Sequence, residues 1–237
     1  PASTAEVAAV VAIARTHGAS IVAQGGHTGL VGGCLSHLGQ IVLSLARMAL
    51  IEAIYPNECV AVVQAGVALE ALQSAAMAHG LEPGIDLAAR GTATIGGMVS
   101  TNAGGIMAHR YGAMRHRVLG LEAVLPDGTI YSDMTRVVKN TAGYDLKHLF
   151  IGAEGTLGIV TRVVIKLEPL PQCTATAMLG LPSVAAALEA ISLALRTDAG
   201  HLRAAEGLWQ RYIQLTARAQ GWSEPSFPLD QPICLLL

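Results

Sequence analysis

The chain has 237 residues, 52% of them hydrophobic and only 14% charged, with a formal net charge of −2. That length is enough for one substantial core and part of a second, and the charge lacks the dense positive field that nucleic acid or an anionic membrane surface would attract. Charges or glycines break every apolar run short of the roughly 20 residues that span a bilayer, so a small uncharged or acidic ligand is expected, and nucleic acid is not.

The opening Pro1-Ala2-Ser3-Thr4-Ala5-Glu6-Val7 reads as mid-protein sequence, with no signal peptide. Ser3 or Thr4 caps a helix there, with Glu6 close to the capping-box position. That helix covers residues 5–17, carries Val7, Val10, Val11 and Ala14 at helical spacing, and stops at Gly18. A strand Ser20–Ala23 follows and runs into a glycine-dense loop. Further strands are expected at Ile41–Leu45 and Cys59–Val63, bounded by Pro56-Asn57 and Gly66, and an Ala/Leu helix over 68–79 ends at Gly80. After a second glycine-rich stretch, Gly91–Gly105, strands Val118–Val124 and Thr129–Ser132 flank the turn signal Pro126-Asp127-Gly128. Alternating helices and strands with hairpins mixed in predict an α+β arrangement.

Pro169-Leu170-Pro171 marks a break, and a second domain starts after it. Its pieces are a strand Thr174–Gly180, a helix Ser183–Arg196 capped by Ser183, the segment Trp209–Ala219 and a final apolar strand Ile233–Leu237. This last run has no closing turn and would leave an unprotected edge at a true terminus. Both ends read as truncated, and the isolated chain is expected to be poorly soluble because faces meant for missing parts would be bare. Cys34, Cys59, Cys173 and Cys234 are widely spaced, with no C-x-x-C pair or zinc-type histidine spacing, and read as reduced thiols of an intracellular protein.

Gly25–Gly33 holds five glycines in nine residues. Such a loop leaves backbone N–H groups unshielded and free to form an anion-binding nest, although a plain glycine-rich turn has the same composition. It is neither G-x-G-x-x-G nor a P-loop. Further small-residue clusters at Pro83–Asp86, Gly91–Gly97, Thr101–Gly105 and Gly152–Val160 suggest close backbone approach along an extended dinucleotide. Arg115-His116-Arg117 reads as a solvated turn, while Arg110 and Tyr111 stay candidates for lining a site. Glu154 and Lys147 do not read as an acid–base pair, since Asp145-Leu146-Lys147 is a helix start with surface charge. There is no H-E-x-x-H and no G-x-S-x-G, so hydrolase chemistry has no support.

The stretches Gln24–Gly33 (QGGHTGLVGG), Thr101–Gly112 (TNAGGIMAHRYG), Val118–Gly128 (VLGLEAVLPDG) and Asn140–Thr161 (NTAGYDLKHLFIGAEGTLGIVT) resemble the FAD-linked oxidases with the vanillyl-alcohol oxidase fold and a PCMH-type FAD domain. The similarity is greatest to the D-2-hydroxyglutarate and D-lactate dehydrogenases and the glycolate oxidase FAD subunit. It implies a PCMH-type FAD-binding domain of two α/β subdomains over residues 1–171, lacking its N-terminal strands, then the truncated start of an α/β cap domain over 172–237.

By that resemblance Gln24, Gly25, Gly26, His27, Thr28, Gly29, Leu30 and Gly33 would hold the FAD pyrophosphate. Gly91, Thr94, Ile95, Gly96, Gly97, Thr101, Asn102, Gly104 and Gly105 would follow the ribityl chain and flavin, with Asn102 the expected polar contact. Glu154, Gly155, Gly158, Ile159 and Val160 would meet the flavin or adenosine end, and Pro83, Asp86 and Gly112 complete the candidate set. Some relatives link a histidine at the place of His27 covalently to the flavin; the nearer dehydrogenases have asparagine there and bind FAD non-covalently, which is the expectation here. The resemblance implies oxidation of a D-2-hydroxy acid by hydride transfer to flavin N5, with electrons passed to an acceptor protein or quinone rather than oxygen. The base, the carboxylate-binding groups and a possible divalent metal belong to the family's later half, so no catalytic residue is named. A homodimer, and a cytoplasmic or mitochondrial rather than secreted location, go with this reading. A flavin-binding subunit or inactive fragment that needs a partner is the alternative, and the FAD domain of a cell-wall sugar reductase is disfavoured.

Overall fold

The computed structural model describes residues 1–197, 202–222 and 230–237. They form two units, Pro1–Gly105 with Tyr111–Leu170, and Ile106–Arg110 with Pro171–Leu237.

In the first unit Ser3 Oγ accepts from the Glu6 amide at 3.2 Å, and Glu6 accepts from the Ala2 amide at 2.8 Å. These bonds start helix α1 (Thr4–Thr16), and Gly18, at φ 63, turns the chain out of it. Strand β1 (Ile21–Gln24) pairs in parallel with β2 (Ile41–Ser44), and the glycine loop connects them. Strands β3 (Ile51–Tyr55) and β4 (Val60–Gln64) form a hairpin, followed by α2 (Leu69–Met77), the short β5 (Leu81–Glu82) and α3 (Ile95–Thr101); the next helix in the chain, α4 (Ala108–Tyr111), falls in the second unit except for Tyr111. A second hairpin joins β6 (Val118–Val124) to β7 (Ile130–Asp133), where Asp127 Oδ1 accepts from the amide and hydroxyl of Thr129 at 2.9 and 2.6 Å. Helix α5 (Lys147–Phe150), β8 (Ile159–Lys166) and β9 (Glu168–Pro169) complete the unit.

An antiparallel sheet of order β3-β4-β8-β6-β7 is the frame, with β5 paired to β9 beside it. Leu69, Leu72, Ile95, Met98 and Val99 of α2 and α3 pack with Val63, Leu121, Val163 and Ile165 of the sheet in the main core. Val7 and Val11 of α1 close a second core with Leu43, Leu45, Met48, Val124 and Ile159. Neither β3 nor β8 is expected from the sequence. Strand β8 is the central strand, and its start lies in the glycine cluster Gly152–Val160; it lacks simple alternation because six of its eight residues are buried. Helix α3 is also unexpected, because two glycines sit inside it. It forms because it packs on the end of β4: Ile95 and Gly96 donate to Val67 O and Ala65 O, each at 2.8 Å, and a Cβ on Gly96 would stand 2.5 Å from that of Ala65.

The second unit contains β10 (Met178–Leu181), α6 (Val184–Thr197), β11 (Glu206–Trp209), α7 (Gln210–Gln220) and β12 (Ile233–Leu236). Ser183 Oγ accepts from Ala186 N at 3.2 Å, as a cap for α6. The expected bare edge at Ile233–Leu237 is corrected: β12 is the middle strand, hydrogen-bonded to β10 on one side and β11 on the other, and Ile233, Cys234 and Leu235 are buried. The strand expected at Thr174–Gly180 begins only at Met178.

Candidate functional site

Three segments of the first unit wall a cavity of about 650 Å³, within the roughly 300–1,000 Å³ of ordinary ligand pockets. They are the loop after β1, residues 87–103 around α3, and residues 154–160 at the start of β8. From the loop, Gln24, Gly25, Gly26, His27, Thr28, Gly29, Leu30 and Gly33 face it. Around α3 the lining includes Thr94, Gly96, Gly97 and Thr101, and at β8 it comprises Glu154, Gly155, Gly158, Ile159 and Val160.

The loop is shaped by what its glycines touch. A Cβ on Gly26 would collide with Thr92 O, and one on Gly25 with Thr94 Oγ1, so only glycine lets the loop lie on the backbone leading into α3. Gln24 Nε2 donates to Cys34 O at 3.0 Å and ties the far end of the loop back to β1. Farther along, Gly29 has no neighbouring atom within 4 Å of its Cβ position. His27 is held at φ 55, in the left-handed region that histidine enters more readily than most residues. Among the described residues no backbone amide from Gly25 to Val31 donates to a protein acceptor. Seven successive free donors beside a cavity with apolar walls fit the pyrophosphate of a dinucleotide, which backbone amides can hold.

Among the described residues the titratable side chains on the wall are His27, Cys34 and Glu154, and no lysine or arginine lines it. Glu154, at φ 54, donates its amide to Ser100 O at 2.8 Å. Ala23, Val31, Cys34, Leu45, Leu87, Ala88, Ala89, Met98, Ser100 and Ala103 also line the cavity and are absent from the sequence-based set. Val31, Met98, Ser100 and Ala103 lie within the glycine-rich stretches singled out from the sequence, and Ala88-Ala89 is a small-residue pair between two glycine clusters; Ala23, Cys34, Leu45 and Leu87 left no such signal.

Eight candidates lie outside the cavity lining: Pro83, Asp86, Gly91, Ile95, Asn102, Gly104, Gly105 and Gly112. Pro83 O accepts from Arg117 Nε at 3.1 Å, and Asp86 is occupied by Gln73 at 3.0 Å and Arg90 at 2.9 Å. Ile95 is core, and Gly105 and Gly112 are needed where a Cβ would strike Asp86 O and the His116 ring. Asn102 ends α3 at φ 49, and its Oδ1 accepts from the Arg115 amide at 2.9 Å.

The solvated turn expected at Arg115–Arg117 is corrected. Arg117 is 2% exposed and spends its guanidinium on Pro83 O, Lys166 O at 2.9 Å and Glu168 Oε1 at 2.9 Å, with the Tyr111 ring 5.4 Å away. Arg115 donates to Ile151 O and to His148 O at 3.0 Å, and lies 3.2 Å from His148 Nδ1. Arginine cannot accept, so Nδ1 does, which leaves the His148 proton on Nε2, 3.3 Å from Asp145 Oδ2. Burial, with help from the neighbouring positive charges, pushes the His148 pKa down against the pull of Asp145. Lys147 is less surface-like than expected, its side chain 12% exposed and 2.5 Å from Asp145. Arg110 and Tyr111 do not line the cavity.

A mixed fold with an amide-lined cavity describes a nucleotide-binding class of protein, and comparison with known proteins narrows it. The family model described as an FAD binding domain matches residues 1–133, more than half of the chain, and the chain belongs to that family. It is 43% identical over 189 residues to the mitochondrial D-2-hydroxyglutarate dehydrogenase of Bos taurus, covering 80% of this chain and 35% of that protein. It is 43% identical over 183 residues to D-2-hydroxyglutarate dehydrogenase of Xanthomonas citri pv. viticola (77% and 39%), and 43% identical over 173 residues to D-lactate dehydrogenase of Archaeoglobus fulgidus (71% and 38%). The chain therefore spans between 35% and 39% of the length of these relatives. A solved structure of alkyldihydroxyacetonephosphate synthase superposes with a TM-score of 0.77 at 24% identity, over 100% of this chain and 46% of that one, and supports the expected PCMH-type fold. Among the described residues no helix is long and apolar enough to cross a membrane.

Proposed function

We propose that the chain is the FAD-binding part of a flavoprotein dehydrogenase that oxidises a D-2-hydroxy acid, of the 2-hydroxyglutarate or lactate kind, to the 2-oxo acid. The row of unpartnered amides from Gly25 to Val31, opening on a cavity of about 650 Å³, is the observation that carries the cofactor assignment. The substrate class rests on the relatives, whose names share a 2-hydroxy carboxylate. When bound, FAD supplies the acceptor for the hydride that leaves the hydroxyl-bearing carbon. The chain's own residues would bind and orient it: the loop amides would donate hydrogen bonds to the pyrophosphate, and the apolar side chains of Leu45, Leu87, Met98, Ile159 and Val160 would exclude water from the cavity. His27 packs in the loop without a covalent link. The base, the groups that grip the substrate carboxylate, and any divalent metal are assigned to the part of the relatives that this chain does not span, and electrons pass to a protein or quinone acceptor.

The test is the visible spectrum of the purified protein before and after acid precipitation. Flavin bands that pass into the supernatant are expected. Bands retained in the pellet would make His27 a covalent ligand, and no bands even after FAD is added would defeat the cofactor assignment.

A further inference from the structure

Helix α5 is four residues long, too short to hold itself together, and its N-cap Leu146 offers no side-chain cap. Ahead of it, residues 134–146 contain no helix or strand, and Val137, Val138 and Tyr144 are exposed. Behind it the chain lies on the end of α3 and runs into the cavity wall: Gly152 N donates to Val99 O at 3.0 Å and Glu154 N to Ser100 O at 2.8 Å. Phe150 and Ile151 anchor the far end of α5 in the core, and Arg115 ties its near end to α3. The Arg115 amide donates to Asn102 Oδ1 at the α3 C-cap, and its guanidinium donates to His148 O, to Ile151 O and to His148 Nδ1.

Of these bonds only the last depends on protonation. Nδ1 accepts while the imidazole is neutral; an added proton makes it a donor aimed at a guanidinium that, among the described residues, no carboxylate meets. His116, on the same turn as Arg115, and Lys147 of α5 add positive charge, and Asp145, 3.3 Å from Nε2, opposes them. That carboxylate is already shared with Lys147, 2.5 Å from the same oxygen. We propose that Arg115 and His148 form a pH-sensitive latch: closed when the imidazole is neutral and opened by its protonation, it sets how firmly α5 and the cavity wall at 152–154 hold to α3. Burial and the neighbouring cations keep the imidazole neutral below its ordinary 6.5. The stabilisation is therefore complete above pH 6.5 and is lost as pH falls from there through the folded-state value. The latch does not depend on what fills the cavity.

The experiment is amide hydrogen exchange of the full chain on either side of the histidine range, at about pH 7.5 and about pH 5.5. The reporters are Leu149, Gly152, Ala153 and Glu154, whose amides donate to Leu146 O, Val99 O, Phe150 O and Ser100 O. After division by the intrinsic rate at each pH, their opening is expected to rise roughly fivefold on the acid side, the scale of one hydrogen bond lost. The ladder between β4 and β8 should not change. His148→Asn puts an amide oxygen where Nδ1 stands and cannot titrate, so its reporters should stay protected at both pH values. Arg115→Met has no donor and should leave them open at both. Equal wild-type protection at the two pH values overturns the proposal, as does an acid-induced rise shared by the β4–β8 ladder. So does a His148→Asn protein that opens with acid as the wild type does, or an Arg115→Met protein as well protected as the wild type at the higher pH.

Discussion

Between Gly25 and Val31 the backbone amides are left without partners, whereas around Gly91–Gly105 they are largely consumed by the fold: Thr92 and Ala93 donate to Ala89 O, Ile95 to Val67 O, and Gly96 to Ala65 O. The two segments look alike in composition, and both border the same cavity. They differ in what the missing side chains are for. In the second segment Gly96 and Gly105 make room for protein backbone, packed against Ala65 and Asp86. In the first, Gly25 and Gly26 rest on Thr92 and Thr94, but Gly29 faces open space. Glycine density therefore marks close approach, and only the accounting of N–H groups tells whether the thing approached is protein or ligand.

The comparison breaks if substitutions in the two segments behave alike. The largest effect is expected at Gly96, where Gly96→Val drives α3 off Ala65. Overpacking of this kind costs about 1–3 kcal/mol, to be seen as a lower midpoint in urea, with flavin retention falling because the fold falls. At Gly29 the expectation is reversed: Gly29→Ala changes stability by no more than about 0.5 kcal/mol and weakens FAD binding severalfold by crowding the free amides. Equal loss of stability at both positions would show that the open loop is as tightly packed as α3.

Some of this was legible in the residues. Ser3 and Glu6 announce α1, and Pro126-Asp127-Gly128 announces the β6–β7 hairpin, because caps and turns are local chemistry. The glycine loop was legible as a candidate nest for the same reason. Strand β8 was not, since a strand covered on both faces loses its alternation and here starts inside a glycine cluster. Arg117 was not either: its partner Glu168 lies 51 residues away, and a charge run next to histidine reads as solvent-facing until the fold buries it. Asn102 sits in a motif of small residues and looks like a ligand contact, but its amide oxygen serves the turn at Arg115. Polar residues that brace a turn and polar residues that bind a cofactor have the same composition, and tertiary pairing separates them.

The turn at Gly84, ahead of the packed segment, is backed by an ion pair, and this gives the smallest expected effect. Gly84, at φ 67, would place a Cβ 3.0 Å from Arg117 Cζ, so the guanidinium is clamped between this turn and Glu168. Burial pushes the Glu168 carboxyl up, but the hydrogen bonds and charges of Lys166 and Arg117 outweigh it and hold its pKa below the ordinary 4.5. A carboxylate with a depressed folded-state pKa contributes stability that is fully present above its unfolded value and is lost as pH falls through the folded one. Apo protein should therefore lose stability below pH 4.5, the ordinary value for Glu168, and Glu168→Gln should remove part of that slope while lowering stability at neutral pH. Among the described residues the glycine loop has no ion pair, so Gly29→Ala should leave the slope as it is. A Glu168→Gln profile that parallels the wild type would mean that the Arg117 guanidinium is held by Pro83 O and Lys166 O alone.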